Sequence, residues 1–206
     1  MSFFENTRKP VGLGGKIMVA MMNLGHSPVA QWGLQFLNVA PDAKVLDCGC
    51  GGGANMKRLL KKYPQGIVKG IDYSPVSVEK ARSLNRAAIQ EGRCVVWQGS
   101  VERIIFAKDW FDAVTAFETV YFWPDLPQCF REVYRVLKPG GAVFFASGVF
   151  YYFLIQQVRE LVRGMADAFP GGVLVFDAAN RTAVKMIAKT WLKTAKIKDV
   201  GAYFAV

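Results

Sequence analysis

The chain has 206 residues, 52% hydrophobic and 20% charged, with fifteen Phe, which supplies one sizeable core and excludes an extended disordered protein. Its formal charge of +10 is spread as an excess of six before Ser147 and four from Ser147 onward, so no basic arm for nucleic acid stands out. Met1 to Pro10 is charged and lacks an apolar run, and the longest apolar stretch, Ala142 to Ile155, is broken by Ser147 and Gly148. Neither a signal peptide nor a membrane span is expected, and the expected setting is cytoplasmic.

Residues 11–40 read as helix and loop. Ile17, Met18, Met21, Met22 and Leu24 form one apolar stripe, and Val29, Trp32, Leu34, Phe36 and Leu37 a second. Residues 1–40 are therefore expected to form a helical cap ahead of a domain spanning 41–206. After Pro41 and Asp42, short apolar runs alternate with helical segments. Strands are predicted over Ala43 to Asp47, Ile67 to Asp72, Cys94 to Gln98, Phe111 to Phe117, Ala142 to Ser147 and Val173 to Asp177, with a last apolar run over Val200 to Val206. Helices are predicted over Ala54 to Tyr63, Pro75 to Glu91, Leu126 to Leu137, Ile155 to Ala168 and Asn180 to Ala195. Strand–helix alternation of this kind leads to an α/β fold: a Rossmann-like, doubly wound and mainly parallel sheet with helices on both faces, and a ligand at the carboxyl ends of the strands.

Lys57, Arg58, Lys61 and Lys62 are the densest basic cluster, read as the solvated face of a helix or as a phosphate patch. The cysteines at 48, 50, 94 and 129 lack paired CxxC spacing, so reduced thiols and no metal site are expected. An internal echo is also present. Thr119-Val-Tyr-Phe-Trp, Arg131-Glu-Val-Tyr-Arg and Pro139-Gly-Gly-Ala-Val-Phe-Phe-Ala are matched by Gly148-Val-Phe-Tyr-Tyr, Arg159-Glu-Leu-Val-Arg and Pro170-Gly-Gly-Val-Leu-Val-Phe-Asp-Ala. Either one strand–helix–strand unit occurs twice around a shared strand near Phe144, or two ordinary units have converged.

The segment Val45-Leu-Asp47-Cys-Gly49-Cys-Gly51-Gly-Gly53-Ala-Asn55 lies between a predicted strand and a predicted helix. Glycines there let the backbone turn tightly and approach a ligand, and the helix start presents unpaired N–H groups. Read alone, Gly49-x-Gly51-x-x-Ala54 also fits a dinucleotide fingerprint. Asp72 ends the second predicted strand, where a carboxylate accepts the hydroxyls of a ribose. Asp47 sits badly beside a pyrophosphate but suits an ammonium or sulfonium group. Its other reading is a turn carboxylate bonded to the N–H groups of the loop itself.

With these residues the chain resembles the class I S-adenosylmethionine (SAM) dependent methyltransferases, in particular the small-molecule branch related to ubiquinone and menaquinone biosynthesis. The resemblance is carried by Val45-Leu-Asp-Cys-Gly-Cys-Gly-Gly-Gly, Gly70-Ile-Asp-Tyr-Ser, Phe111-Asp-Ala-Val-Thr-Ala-Phe-Glu and Arg135-Val-Leu-Lys-Pro-Gly-Gly, and covers about residues 40 to 146. It implies that Asp47, Gly49, Gly51, Gly53 and Asn55 surround the methionine part of SAM, and that Asp72 holds the ribose with Tyr73 beside the adenine. Ser100 and Val101 would flank the adenine, with Phe117 and Glu118 by the methionine end. The family usually has an acidic residue where this chain has Ser100, so weakened adenine binding is expected.

Methyl transfer from a sulfonium is an in-line displacement that needs placement and exclusion of water rather than a metal. By position, Glu118, Tyr121 and the sole histidine, His26, are candidate general bases, His26 being otherwise a loop residue bonded to backbone. Tyr121, Phe122 and Trp123 line an acceptor pocket or pack beneath the sheet. From Gly148 onward the chain resembles instead the polyketide O-methyltransferases and leucine carboxyl methyltransferases. A hybrid joined near 142–148 is implied, whose tail departs from the usual closing antiparallel hairpin. The expected function is methyl transfer from SAM to a small-molecule acceptor, without nucleic acid or membrane. The alternatives are a recombined or truncated SAM-binding protein without an acceptor, an RNA methyltransferase and a nicotinamide dehydrogenase.

Overall fold

Five predicted strands from the middle of the chain form a parallel sheet because their residues are apolar on both faces, as burial beneath two helical layers requires. The computed structural model describes residues 27–35, 37–147, 173–177 and 182–186, together with Gly12, Gly14, Gly15, Ile17 and Val19. Its strands are β1 (Lys44–Cys48), β2 (Ile67–Asp72), β3 (Cys94–Gln98), β4 (Phe111–Phe117), β5 (Leu137–Ser147), β6 (Val173–Asp177) and β7 (Thr182–Met186), in the sheet order β3-β2-β1-β4-β5-β6-β7. All neighbours are parallel except β6 and β7. The order reverses direction between β1 and β4, which is the switch point where such sheets open a ligand crevice.

The helices are α1 (Ser27–Leu34), α2 (Ala54–Lys62), α3 (Pro75–Leu84), α4 (Arg86–Gln90) and α5 (Leu126–Val136). In α2, Met56, Leu59 and Leu60 face inward, while Lys57 and Lys61 are exposed; the basic cluster has the solvated-face arrangement. In α3, Ser74 caps the first turn by accepting the Ser77 N–H, with Pro75 at the first helical position. One helix was expected over 75–91, but Asn85 interrupts it. Its amide Nδ2 donates to the carbonyls of Ala81 and Gly53, and its backbone leaves the helical region. In α5, Asp125 accepts the Gln128 N–H, and Cys129, Phe130, Val133 and Val136 form the buried stripe.

Two apolar layers result. One, between the sheet and α5, contains Leu46, Phe111, Phe130 and Phe145; the other, beneath α1, α2 and α3, contains Val45, Met56, Leu59 and Phe144. Phe144 and Phe145, adjacent on β5, enter opposite layers by strand alternation, and both are fully buried. Each contributes about 1.5–3 kcal/mol by burial. All four cysteines are buried and free.

β5 starts five residues earlier than the sequence predicts, at Leu137 rather than Ala142. It absorbs Lys138-Pro-Gly-Gly through a register shift opposite Phe111 and Ala113. β6 lies beside β5 in parallel, with Phe144 opposite Leu174 and Phe145 opposite Val175. The helix expected over 180–195 is corrected: Thr182–Met186 is a strand, antiparallel to β6. Pairing there satisfies the N–H and C=O groups that β6 would otherwise leave open at the sheet edge. The expected absence of a closing antiparallel pair is corrected too: β6 runs parallel to β5, and β7 closes the edge antiparallel to β6. The predicted helix over Ile155 to Ala168, the run Val200 to Val206 and most of the first apolar stripe lie outside the described residues. Among the described residues no helix is long and apolar enough to cross a membrane.

Candidate functional site

At the carboxyl end of β1 the chain turns sharply because two backbone N–H groups hang on one carbonyl. Gly49 and Cys50 donate to Ile71 O at 2.8 and 3.1 Å, which pins the turn to the end of β2. Gly49 has φ 72°, and a Cβ there would lie 2.6 Å from Thr119 Cγ2. Thr119 in turn donates its hydroxyl to Cys48 O at 2.9 Å, tying the end of β4 to the end of β1. Gly51 has φ 50° and nothing within 4 Å of the place a Cβ would occupy, so the floor is bare backbone open to a ligand.

Asp72 and Asp47 do different things. Asp72 accepts the Gly51 N–H through Oδ2 and the Ser74 N–H through Oδ1, both at 2.9 Å. A carboxylate has about four acceptor positions, so roughly two remain. Burial raises its carboxyl above the usual range, and the two N–H bonds oppose that. Asp47, 1% exposed, lies near the end of β1 ahead of the turn and lines neither of the two spaces at the strand tips; its Oδ1 accepts the Thr115 hydroxyl at 2.8 Å and its Oδ2 has no partner. Burial pushes it up to about 7, against the Thr115 hydrogen bond and with a further push from Asp72. The carboxylate bonded to the loop's own N–H is therefore Asp72, not Asp47.

A cavity of about 310 Å³ runs across the strand tips. Glu118 and Thr119 follow β4, Gly49 and Gly51 follow β1, Asp72 and Tyr73 close β2, and Ser100, Val101 and Glu102 follow β3. Phe122, Trp123 and Pro124 complete the wall. A smaller space of about 50 Å³ adjoins it, shares Glu118 and Thr119, and adds Val19, Asn55 and Phe117. Among the described residues, the walls contain acidic side chains but no Lys or Arg. Such a wall attracts a cation and repels a pyrophosphate.

Residues 46–145 match the family described as methyltransferase domain. Over that stretch, just under half of its length, the chain is similar to a methyltransferase domain. The chain is 36% identical over 104 residues to cycloartenol-C-24-methyltransferase 1 of Oryza sativa, covering 50% of this chain and 30% of that protein. It is 28% identical over 166 residues to the ubiquinone/menaquinone biosynthesis C-methyltransferase of Geotalea daltonii, covering 73% and 71%. The structure of a Methanococcus maripaludis protein assigned to the SAM-dependent methyltransferases superposes with a TM-score of 0.58 at 26% identity, covering 75% of this chain and 72% of that one. The chain spans 29% to 40% of the length of the plant sterol methyltransferases it matches.

In the described structure the expected site residues separate into walls and supports. Gly49, Gly51, Asn55, Asp72, Tyr73, Ser100, Val101, Phe117 and Glu118 line one or both spaces. Gly53 does not: at φ 80° it starts α2, and a Cβ there would lie 2.6 Å from Asn85 Nδ2 and 2.8 Å from Ala81 Cα. Its role is close packing of α2 on α3. Glu118 is 3% exposed and holds φ 56°, a conformation costing about 1–3 kcal/mol, at a point where both spaces meet. Phe122 and Trp123 reconcile the two readings of the aromatic group. Both line the cavity, and Trp123 also packs on Phe130 and Phe145. The Tyr121 side chain and His26 lie outside the described residues. Thr115, Thr119, Ser77 and Glu102 are participants that the sequence motifs do not single out.

Proposed function

We propose that this chain binds SAM in the cavity across the strand tips and transfers the methyl group to a small apolar acceptor. The observation that carries the reading is the wall itself: a bare Gly51 floor at the switch point, flanked by Asp72 and Glu118, with no cationic side chain among the described lining residues. The residues fit the cofactor. Asp72 has acceptor positions left for ribose hydroxyls, and Asp47 Oδ2, buried without a partner near the end of β1, is an acceptor held in reserve for an ammonium group. Bound there, SAM supplies an electrophilic methyl on a sulfonium.

The chain's own residues then have four tasks. Gly49, Gly51 and Asn55 receive the methionine part, Tyr73 and Val101 pack on the base, and Phe117 and Trp123 exclude water. Glu118, at the junction of the two spaces, accepts the proton when the acceptor must lose one. Val19, 2% exposed and part of the smaller wall, supports residues 1–40 as a cap over the site. The relatives named for cycloartenol and for ubiquinone/menaquinone biosynthesis are C-methyltransferases, which supports a small apolar acceptor.

A second reading has its own support. The parallel β5–β6 pairing is the arrangement a repeated strand–helix–strand unit would make, in keeping with a hybrid chain whose acceptor pocket was altered by the join. Such a chain would hold SAM without a physiological acceptor. Formation of S-adenosylhomocysteine on incubation with SAM and a panel of quinols and sterols separates the two. Product formation is expected; tight SAM binding with no product across the panel would favour the second reading.

A further inference from the structure

The base-binding end of the cavity has a feature that the serine at position 100 does not explain by itself. The Ser100 hydroxyl donates to Glu102 Oε2 at 3.0 Å, and the Glu102 N–H donates back to Ser100 Oγ at 3.2 Å. The proton of Ser100 is therefore committed. Of the two lone pairs on Oγ one is used, and the other is left as an acceptor. Both residues line the cavity.

The loop carrying them is fixed from α5. Gln128 Nε2 donates to the Glu102 carbonyl at 3.0 Å, and Glu132 Oε2 accepts the Ile104 N–H at 2.7 Å. Val101, between the pair, is buried in the core layer beneath α5. Glu102 is thus held beside Ser100 by the fold.

Building on the reading that the SAM base lies against Ser100 and Val101, we infer that Glu102, acting with Ser100, makes this end of the cavity acceptor-only and selects a 6-amino purine over a 6-oxo purine. A serine alone is indifferent, since its hydroxyl rotates to donate to an oxo group or to accept from an amino group. Tied to Glu102 it loses the donating option, and the carboxylate adds negative charge that repels a carbonyl oxygen and attracts an amino N–H. The carboxylate that the family places at position 100 is supplied here from two residues further along.

The test is a comparison of dissociation constants for S-adenosylhomocysteine and S-inosylhomocysteine by calorimetry. The wild-type chain is expected to favour the adenosyl compound by at least about tenfold. In Glu102→Ala and in Glu102→Gln, which adds a donor, the ratio should fall to within about threefold of unity. In the double variant Ser100→Asp, Glu102→Ala it should return. A ratio unchanged in both single variants, or a wild-type chain that binds the two compounds alike, would overturn this inference while leaving the SAM site standing. A folded wild-type chain that binds neither would remove the SAM reading and this selectivity with it.

Discussion

Asp47 is a buried carboxyl, 1% exposed, whose behaviour can be read out by titration. Its carboxyl is raised from 3.8 to about 7 because burial penalises the charged form more than the Thr115 hydrogen bond rewards it. Over that interval the folded chain holds a proton that the unfolded chain has shed. The contribution of this group to stability is therefore largest in acid and declines as pH rises from about 4 to about 7. A bound ammonium reverses the preference and expels the proton, so SAM affinity should climb by up to about tenfold per pH unit below about 7 and level off above it. In Asp47→Asn that slope should vanish. Calorimetry on both proteins across this range checks it, and equal slopes would mean that Asp47 does not respond to the ligand. The wall positions of Gly49 and Asp72 are legible in the sequence because each lies in a short local motif, the glycine turn after β1 and Gly70-Ile-Asp at the end of β2. Thr115 and Thr119 are not: their bonds to Asp47 and Cys48 span 68 and 71 residues, and no local spacing announces such contacts.

Elements were legible where their signals are local. Pro75 after Ser74 marks the start of α3, and the apolar spacing of Cys129, Phe130, Val133 and Val136 marks α5. The break at Asn85 was not legible, since it depends on a carbonyl 32 residues away, that of Gly53. Nor was the strand at Thr182–Met186, whose form follows from the edge of β6. The α2–α3 junction offers a direct check. Gly53→Ala must hold a left-handed conformation costing about 1–2 kcal/mol and push a Cβ against Ala81. It should lower the free energy of unfolding in urea by at least that much, whereas wild-type stability would show that the junction yields.

At the level of the molecule, the strand–helix alternation identifies a parallel sheet covered on both faces, and the structure adds the order that places the β1–β4 reversal under the cavity. The two apolar layers are what keep those strand tips in line. Phe145 is buried against Phe130 and Trp123, the latter a wall residue, so Phe145→Ala should cost about 3–5 kcal/mol. That is a large part of the total stability of a domain. Urea denaturation measures it, and a loss below about 1 kcal/mol would mean that the layer refills the gap.

The account turns on what occupies the cavity across the strand tips. Calorimetric titration with SAM, S-adenosylhomocysteine and NAD, on the wild type and on Asp72→Ala, tests this most directly. The prediction is binding of the first two and not of NAD, with affinity falling at least about tenfold in the variant as charge-assisted ribose bonds are lost. Binding of NAD in preference to SAM, or SAM affinity untouched by Asp72→Ala, would contradict it.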